Sequence, residues 1–255
     1  MSKVKAIFLK DLKSYFTSPI AYAVYTVFLG ITGFLFFSIL SAFSIESIQY
    51  MRYPYLMERI NLNDMVLYPL FHNMVVTFLL LIPILTMRLM AEEKKSGTVE
   101  LLFTSPVSSF QIMMGKYLAA LVVMCGMLAL TFIYPGILAI YGNPDMGPVA
   151  SSYIGLLLVG ASFLAVGLFT SSLTENQIIA AAISFGILLL FWVIGWASHA
   201  AGSALGGILR YLSIFEHFRD FARGLIQTKD VVFYLTFAAL MLFCTQMIID
   251  SRRWR

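Results

Sequence analysis

Charged side chains are scarce in this sequence. Asp, Glu, Lys and Arg make up 12% of its 255 residues, against roughly 25% in a typical soluble domain. Hydrophobic residues make up 60%, and the mean hydropathy is +0.87. This composition predicts a protein whose main solvent is lipid. The formal net charge of +4 is too small to indicate nucleic-acid binding.

Motifs that bind nucleotides or metals are also missing. Gly115-Lys116 has no glycine five residues before it, so it does not form a Walker A loop. There is no HExxH zinc motif and no GxSxG nucleophile elbow. The histidines lie far apart, without obvious ligand partners, at His72, His199 and His217. We therefore expect no catalytic residue, metal or cofactor in this chain.

Long apolar runs dominate instead. A helix needs about 20 apolar residues to cross the roughly 30 Å hydrocarbon core of a bilayer. Six runs are long enough, at about residues 20–43, 65–89, 117–141, 150–171, 177–196 and 231–249. No internal repeat is visible. The sequence therefore predicts one all-α membrane domain over residues 1–255, with six transmembrane helices.

The distribution of Lys and Arg predicts the orientation. With the N-terminus in the cytoplasm, the inner basic residues are Lys3, Lys5, Lys10, Lys13, Arg88, Lys94, Lys95, Lys116, Arg252, Arg253 and Arg255. The outer ones are Arg52, Arg59, Arg210, Arg219, Arg223 and Lys229. Because basic residues are enriched on the inner side, we place both termini and the loop at 90–116 in the cytoplasm.

Residues 1–18 form an amphipathic segment. Its apolar positions share one helical face, at Val4, Ile7, Phe8, Leu12, Tyr15 and Phe16. This pattern predicts an interfacial helix on the inner leaflet. The alternative is an ordinary basic flank that only sets topology. Ser18 and Pro19 then look like the N-cap and first residue of the first span.

The segment at 197–230, before the last span, has its own helical pattern. Ser213 and Glu216 match a capping box. The residues that follow form one apolar face, at Ile214, Phe215, Phe218, Phe221, Ala222, Leu225 and Ile226. We expect a helix that lies at the outer surface or re-enters the membrane partway. The alternative is a tilted continuation of the sixth span.

Polar residues inside the spans are few. His72 and Asn73 lie near the outer end of the second span and are candidates for lining a pathway. Pro69 and Pro83 in the same span predict a kink. The predicted spans contain no Asp or Glu, the residues that proton relays use. This argues against a proton-driven transporter and against acid–base catalysis.

Residues 91–108, AEEKKSGTVELLFTSPVS, contain the densest charges. Ala91 to Phe103 fits a helix that ends before Pro106, with its charged side chains facing solvent or a partner. Ser108 and Gln111 match a capping box that opens the next helix. Two defined helices suit a docking surface better than a flexible loop. The turn at 171–177 has a similar start signal, a capping box at Thr174 and Gln177.

These loops carry a resemblance to a known family. AEEKKSGTVELLFTSPVSSFQIMMGKYLAA resembles the signature of ABC-2 type transporter permeases. GLFTSSLTENQIIAAAISF, residues 167–185, is similar to the family's second cytoplasmic turn. The opening KDLKSYFTSPIAY and the segment 211–235 look closest to the gliding-motility GldF-like branch.

The resemblance implies a permease subunit of the bacterial inner membrane, with an N-terminal elbow helix. It implies an ABC ATPase subunit that carries ATP and Mg, a second permease chain in a homo- or heterodimer, and, in the GldF-like branch, an extracytoplasmic GldG-like accessory subunit. Membrane lipid surrounds the spans. The implied ATPase-coupling residues are Glu92, Glu93, Gly97, Thr98, Glu100, Leu101 and Leu102, with Leu173, Thr174, Glu175 and Asn176 as a smaller contact.

Two functions remain open at this stage. The first is transport of a substrate with energy from the partner ATPase. The second is a membrane anchor or mechanical or signalling subunit of an ATPase-containing complex that moves no cargo. The sequence does not identify a substrate.

Overall fold

The computed structural model describes residues 3–50, 61–98, 107–200 and 202–253. Within these ranges every regular element is helical and no strand occurs, which confirms the all-α prediction. In chain order the elements are α1 Lys3–Thr17, α2 Pro19–Tyr50, a π-helical turn Asn63–Leu67, α3 Tyr68–Thr86, α4 Arg88–Lys95, α5 Ser109–Leu130, α6 Ile133–Tyr141, α7 Met146–Leu173, α8 Gln177–Ala200, α9 Ser203–Leu212, α10 Ile214–Ala222 and α11 Thr228–Arg253.

The described residues contain six helical segments long and apolar enough to cross a membrane. They are Pro19–Gln49, Asn63–Lys95, Ser109–Tyr141, Met146–Leu173, Gln177–Ser198 and Thr228–Ser251. Each contains one predicted apolar run and extends beyond it. The second and third segments have 33 residues, about 50 Å at 1.5 Å per residue. Their ends therefore project beyond the roughly 30 Å hydrocarbon core.

Proline interrupts the two longest segments. Pro83 lies inside α3, which ends at Thr86 before α4 begins at Arg88. Pro69 lies in the first turn of α3, where a missing N–H costs little, so only Pro83 fits the predicted kink within the helix. The third segment breaks at Thr131 and Phe132, shortly before Pro135.

Helices α3 and α7 form the centre of the bundle. In an 18-residue apolar stretch of the spans that contain them, 78% and 72% of the residues are buried, against 22% in the corresponding stretches of α2, α8 and α11. Glycines in α7 allow the neighbouring helices to approach it closely. A Cβ on Gly160 would lie 2.1 Å from Met124 Sδ in α5, and one on Gly167 would lie 2.0 Å from Thr86 Oγ1 in α3. Small residues therefore bring α7 against two neighbours.

The N-terminal segment is a helix, as predicted, and it packs along α5. Ile7, Asp11 and Tyr15 are buried against the bundle, while Leu9 and Phe16 are exposed. Asp11 is a charged residue within an otherwise apolar stripe. The sequence did not predict its burial. Residue Ile20 donates its backbone N–H to Ser18 Oγ over 3.4 Å, which agrees with Ser18 as the N-cap of α2.

The segment before the last span folds as two helices, α9 and α10. Ile214, Phe218 and Phe221 of α10 are fully buried against the bundle, as the apolar face predicted. The alternative of a continued sixth span is wrong, because Gly224 turns the chain with a φ of 87° and α11 begins only at Thr228.

Two details of that segment differ from the prediction. The side chain of Ser213 makes no cap hydrogen bond within the described residues, so the capping box with Glu216 is not formed. Leu225 and Ile226 are exposed because they follow the turn that ends α10. An ion pair also joins Asp220 of α10 to Lys229 of α11 over 3.7 Å.

Candidate functional site

The two loops predicted to form a docking surface lie together at one end of the bundle, which we call the loop end. Lys95, at the end of α4, lines the same cleft as Glu175, Asn176 and Ile178 of the second loop. The cleft has a volume of about 480 Å³. Residues distant in sequence therefore present one continuous surface.

The first loop is not a single helix from residue 91 to 103. Helix α4 ends at Lys95, and Gly97 adopts a φ of 71°, a left-handed conformation typical of the residue that follows a helix. The hydroxyl groups of Ser96 and Thr98, on either side of Gly97, form a hydrogen bond over 2.9 Å. The predicted contacts Glu100, Leu101 and Leu102 lie outside the described residues.

Glu92 and Glu93 differ in exposure, although both line one cleft beside α1. Glu92 is exposed, as the docking prediction requires. The Glu93 side chain is only 12% exposed and points into the bundle. The prediction that all charges of α4 face solvent or a partner is therefore wrong for Glu93. Its carboxylate contacts lysine side chains from two other helices.

A buried lysine joins three helices at the loop end. The Nζ atom of Lys116 in α5 lies 2.9 Å from Glu93 Oε2 and 3.2 Å from Asp11 Oδ2. The Lys116 side chain is 2% exposed. Lys10 donates to Glu93 Oε1 over 2.8 Å from the surface side. We call Lys10, Asp11, Glu93 and Lys116 the buried charge cluster. It connects α1, α4 and α5.

The pKa of Lys10 reflects its place at the edge of the buried charge cluster. Burial lowers the pKa, but the hydrogen bond and the negative charge of Glu93 raise it more, so the net direction is upward. Lys10 therefore stays charged at neutral pH and keeps its contact with Glu93.

Arg88 and Tyr15 strengthen the attachment of α1. The Arg88 guanidinium lies 4.8 Å from the centre of the Tyr15 ring and donates to the Ser14 carbonyl over 3.3 Å. The Tyr15 hydroxyl donates to the Leu85 carbonyl over 2.9 Å, next to the break between α3 and α4. Burial raises the Tyr15 pKa, so this hydroxyl keeps its proton.

Ser171 attaches α4 to the end of α7. Its hydroxyl accepts hydrogen bonds from the backbone N–H groups of Met90 and Ala91 over 3.0 and 3.1 Å. It also donates to the Met87 carbonyl over 2.9 Å. Lys94 donates to the Ser172 carbonyl. Because a helix start leaves N–H groups without intrahelical partners, one serine satisfies several at once.

The second loop is capped by a different residue from the one predicted. Asn176 Oδ1 accepts from the Ile178 N–H over 2.9 Å, so Asn176 and not Thr174 caps α8. Thr174 Oγ1 instead accepts from the Asn176 N–H over 3.1 Å. Leu173, Glu175 and Asn176 are exposed. Ile178 is 78% exposed, which places a large apolar side chain on the surface of the loop end.

The first of the two candidate pathway residues, His72, lies at the opposite end of the bundle, which we call the cap end. His72 lines a small cavity between α3, α8 and α10. Asn73 donates its side-chain amide to the Pro69 carbonyl of its own helix over 2.9 Å. The structure therefore places His72, and not Asn73, on the wall of this cavity.

His217 has a partner that the sequence did not predict. Its Nδ1 lies 2.5 Å from Asp230 Oδ1, and its Nε2 lies 2.9 Å from the Tyr211 carbonyl oxygen. A carbonyl oxygen only accepts, so Nε2 carries a proton. The pair joins α10 to α11. Within the described part of the chain, no three His, Cys, Asp or Glu side chains converge in a way that would hold a metal ion.

Six helical segments in the described residues are long and apolar enough to cross a membrane, which is the architecture of a multi-pass membrane protein. Residues 56–215 match the ABC-2 family transporter proteins, and the chain belongs to this family. The resemblance found in the sequence is confirmed at the level of the family, and the GldF-like branch stays a prediction.

Two curated relatives are similar in sequence to part of this chain. It is 35% identical over 98 residues to the probable multidrug ABC transporter permease YbhR of Escherichia coli strain K12, and equally to that of Escherichia coli O157:H7. The matched part is 37% of this chain and 25% of each relative. The likeness therefore covers about a quarter of the length of these relatives.

Proposed function

We propose that this chain is the permease subunit of an ABC exporter of the bacterial inner membrane, and that a separate ATPase subunit binds its loop end. The observation that carries the proposal is the meeting of the two loops on one surface. In this arrangement the loop end and both termini lie in the cytoplasm, where ATP is available.

The chemistry of the loop end suits a protein partner. Glu92, Lys95 and Glu175 are exposed charges of both signs, and Ile178 and Leu173 of the second loop are exposed apolar side chains. Protein interfaces combine an apolar centre with a polar rim in this way. An apolar anchor at Ile178 with charges around it supports docking of a folded partner.

The attachment of α4 supports a coupling role. A force on the first loop acts on α4, which is held to α1 and α5 by the buried charge cluster and to α7 by Ser171. Helix α7 lies at the centre of the bundle. Movement of α4 therefore reaches the central helix without passing through a flexible segment. We infer a two-state equilibrium of the bundle, which ATP binding and hydrolysis on the partner bias.

The assembly needs further components. ATP and Mg are expected on the ATPase, because this chain has no phosphate-binding motif. The spans of α2, α8 and α11 leave most of their residues unburied, and these surfaces suit lipid and a second permease chain. A GldG-like accessory subunit remains an expectation from the sequence resemblance.

Co-purification tests the partner. The full chain is purified in mild detergent from its native host, and the proteins that accompany it are identified by mass spectrometry. We expect a P-loop ATPase that is lost in Glu92→Lys and in Glu100→Lys. If the chain is recovered without an ATPase, or if both variants retain it fully, the loop end is not the docking surface.

Reconstitution separates transport from anchoring. The complex is placed in lipid vesicles, and ATP hydrolysis is measured with and without candidate amphipathic substrates. A transporter should show hydrolysis that a substrate stimulates, together with ATP-dependent movement of that substrate. Hydrolysis that no substrate alters would favour the anchor or signalling role.

A further inference from the structure

A small cavity at the cap end has a mostly aromatic wall. It lies between the start of α3, the end of α8 and the start of α10, and its volume is about 150 Å³. Its walls include Tyr68, Trp192, Trp196 and Phe215. The Trp192 ring lies 4.7 Å from that of Trp196 and 6.1 Å from that of Phe215, measured between ring centres. Aromatic faces of this kind attract ammonium groups.

Charges of both signs line the same cavity. Glu216 and Arg219 lie three residues apart on α10, so they project from one side of the helix. Arg210 lies 3.6 Å from Glu216 and lines the neighbouring polar cleft, whose wall Glu216 and Arg219 share. Among the described residues of the cavity wall, Glu216 supplies the carboxylate and Arg219 the guanidinium. A ligand with a single charge would face one of these groups with the wrong sign.

An unsatisfied hydroxyl group also lines the cavity. Ser213 is fully buried, and its Oγ has no hydrogen-bond partner among the described residues. Gly195 of α8 approaches it so closely that a Cβ there would lie 2.6 Å from Ser213 Oγ. Buried polar groups normally have partners, because leaving one unpaired destabilises the fold. A ligand in the cavity would supply an acceptor for this hydroxyl.

The size of the cavity limits what it holds. Drug-sized ligands occupy pockets of roughly 300 to 1,000 Å³, whereas this cavity has about 150 Å³. It therefore accepts one head group and not a whole amphipathic molecule. The exposed apolar side chains of α8 provide a path for the remainder, because Leu190, Val193 and Trp196 recur at every third position and lead to the cavity.

We propose that this cavity binds the zwitterionic head group of a membrane lipid, with its ammonium against the aromatic wall and Glu216 and its phosphate at Arg219 and Ser213. The acyl chains lie along Leu190 and Val193 on the surface of α8. This site goes beyond the proposed transport function, because it requires neither the ATPase nor a transport cycle.

Tryptophan fluorescence gives a direct readout of binding. The chain has three tryptophans, and two of them, Trp192 and Trp196, line the cavity. Trp254→Phe removes the third. The purified full chain carrying this change, in an uncharged sugar detergent, is titrated with dihexanoylphosphatidylethanolamine. We expect a saturable change in fluorescence.

Two variants and one control localise the effect. Glu216→Gln and Arg219→Gln should each weaken binding about tenfold, as expected for the loss of one charge-assisted contact. Lys229→Gln is the control, because Lys229 lies on the neighbouring cleft and not on this cavity. It should bind like the parent. Equal thermal melting of all variants would show that the fold is unchanged.

The choice of ligand completes the test. Dihexanoylphosphatidylglycerol has the same phosphate and chains without the ammonium, and it should bind more weakly. Glycerophosphoethanolamine has the head group without chains, and it should also bind more weakly. Equal binding of the glycerol lipid would overturn the zwitterion assignment, and equal binding of the chain-free compound would overturn the lipid assignment. The absence of any saturable change would overturn the site itself.

Discussion

The ammonium group of Lys116 lies 2.9 Å from the Glu93 carboxylate, and the lysine side chain is almost completely buried. Asp11 lies 3.2 Å from the same ammonium group, so one positive charge contacts two negative ones. The three residues come from α5, α4 and α1. The loop end is therefore held by a charge interaction in which Lys116 contacts both carboxylates and Lys10 contacts Glu93 from the surface side.

Replacing Lys116 with methionine should destabilise the protein strongly. The variant puts an apolar side chain beside the largely buried carboxylates of Asp11 and Glu93, of which Glu93 keeps its contact with Lys10. Breaking a buried ion pair costs about 3–5 kcal/mol. Thermal unfolding of the full chain in detergent measures the change. Lys10→Met is the matched control, because the Lys10 side chain is 59% exposed and exposed ion pairs contribute about 0–1 kcal/mol. Similar melting of both variants would contradict the buried charge cluster.

Glu92 and Glu93 should respond differently to charge reversal. Glu92→Lys changes an exposed residue, so we expect normal membrane insertion and melting but weaker binding of the ATPase. Glu93→Lys places a third lysine beside Lys10 and Lys116, so we expect poor folding before any effect on the partner. Yield, melting temperature and ATPase recovery from detergent extracts distinguish the two. A well-folded Glu93→Lys chain would show that the inward orientation of Glu93 is wrong.

Ile178 should contribute to partner binding but not to stability. It is 78% exposed on the second loop, so Ile178→Ser removes little buried area from the isolated chain. If Ile178 is an apolar anchor, its loss should weaken ATPase binding by about 1–3 kcal/mol, since interface anchors commonly exceed 1 kcal/mol. Ile140→Ser is the control, because Ile140 is 77% exposed on α6 at the cap end. Equal losses of ATPase binding in both variants would argue against an anchor at Ile178.

The parts of the fold that follow local rules could be predicted from the sequence. Six spans follow from the length of the apolar runs, and the helix start at Ser108 follows from a capping box, in which Gln111 donates its N–H to Ser108 Oγ over 3.2 Å. The end of helix α4 after Lys95 could also be predicted from Gly97. Glycine adopts the left-handed conformation that this turn requires, which is energetically unfavourable for other residues. A single helix from residue 91 to 103 is incompatible with the left-handed conformation of Gly97.

The buried charge cluster depends on contacts between residues far apart in sequence. Asp11 and Lys116 are 105 positions apart, and no local pattern pairs them. The sequence did indicate that Asp11 and Lys116 could be buried, because each interrupts an apolar helical face. Opposite charges that are buried tend to pair. The contact between His217 and Asp230 also depends on the packing of two separate helices. Only the fold brings α10 against the start of α11.

Close helix contact at Gly167 gives a test of the central packing. Gly167→Ala places a Cβ 2.0 Å from Thr86 Oγ1 and 2.6 Å from Thr86 Cβ, so α3 and α7 must separate. Overpacking of this kind costs about 1–3 kcal/mol. Thr86 has little freedom to move, because it is fully buried and its hydroxyl donates to the Ile82 carbonyl over 2.8 Å. We expect a lower melting temperature.

Gly186→Ala is the control for this change. Gly186 lies in α8, and a Cβ there would meet no heavy atom within 4 Å. Alanine favours a helix over glycine by about 1 kcal/mol, so this variant should melt at the same temperature as the parent chain or higher. The two substitutions add the same methyl group to two membrane helices, and only the neighbours differ. Equal melting of both variants would mean that α3 and α7 do not pack as closely at Thr86 as the structure shows.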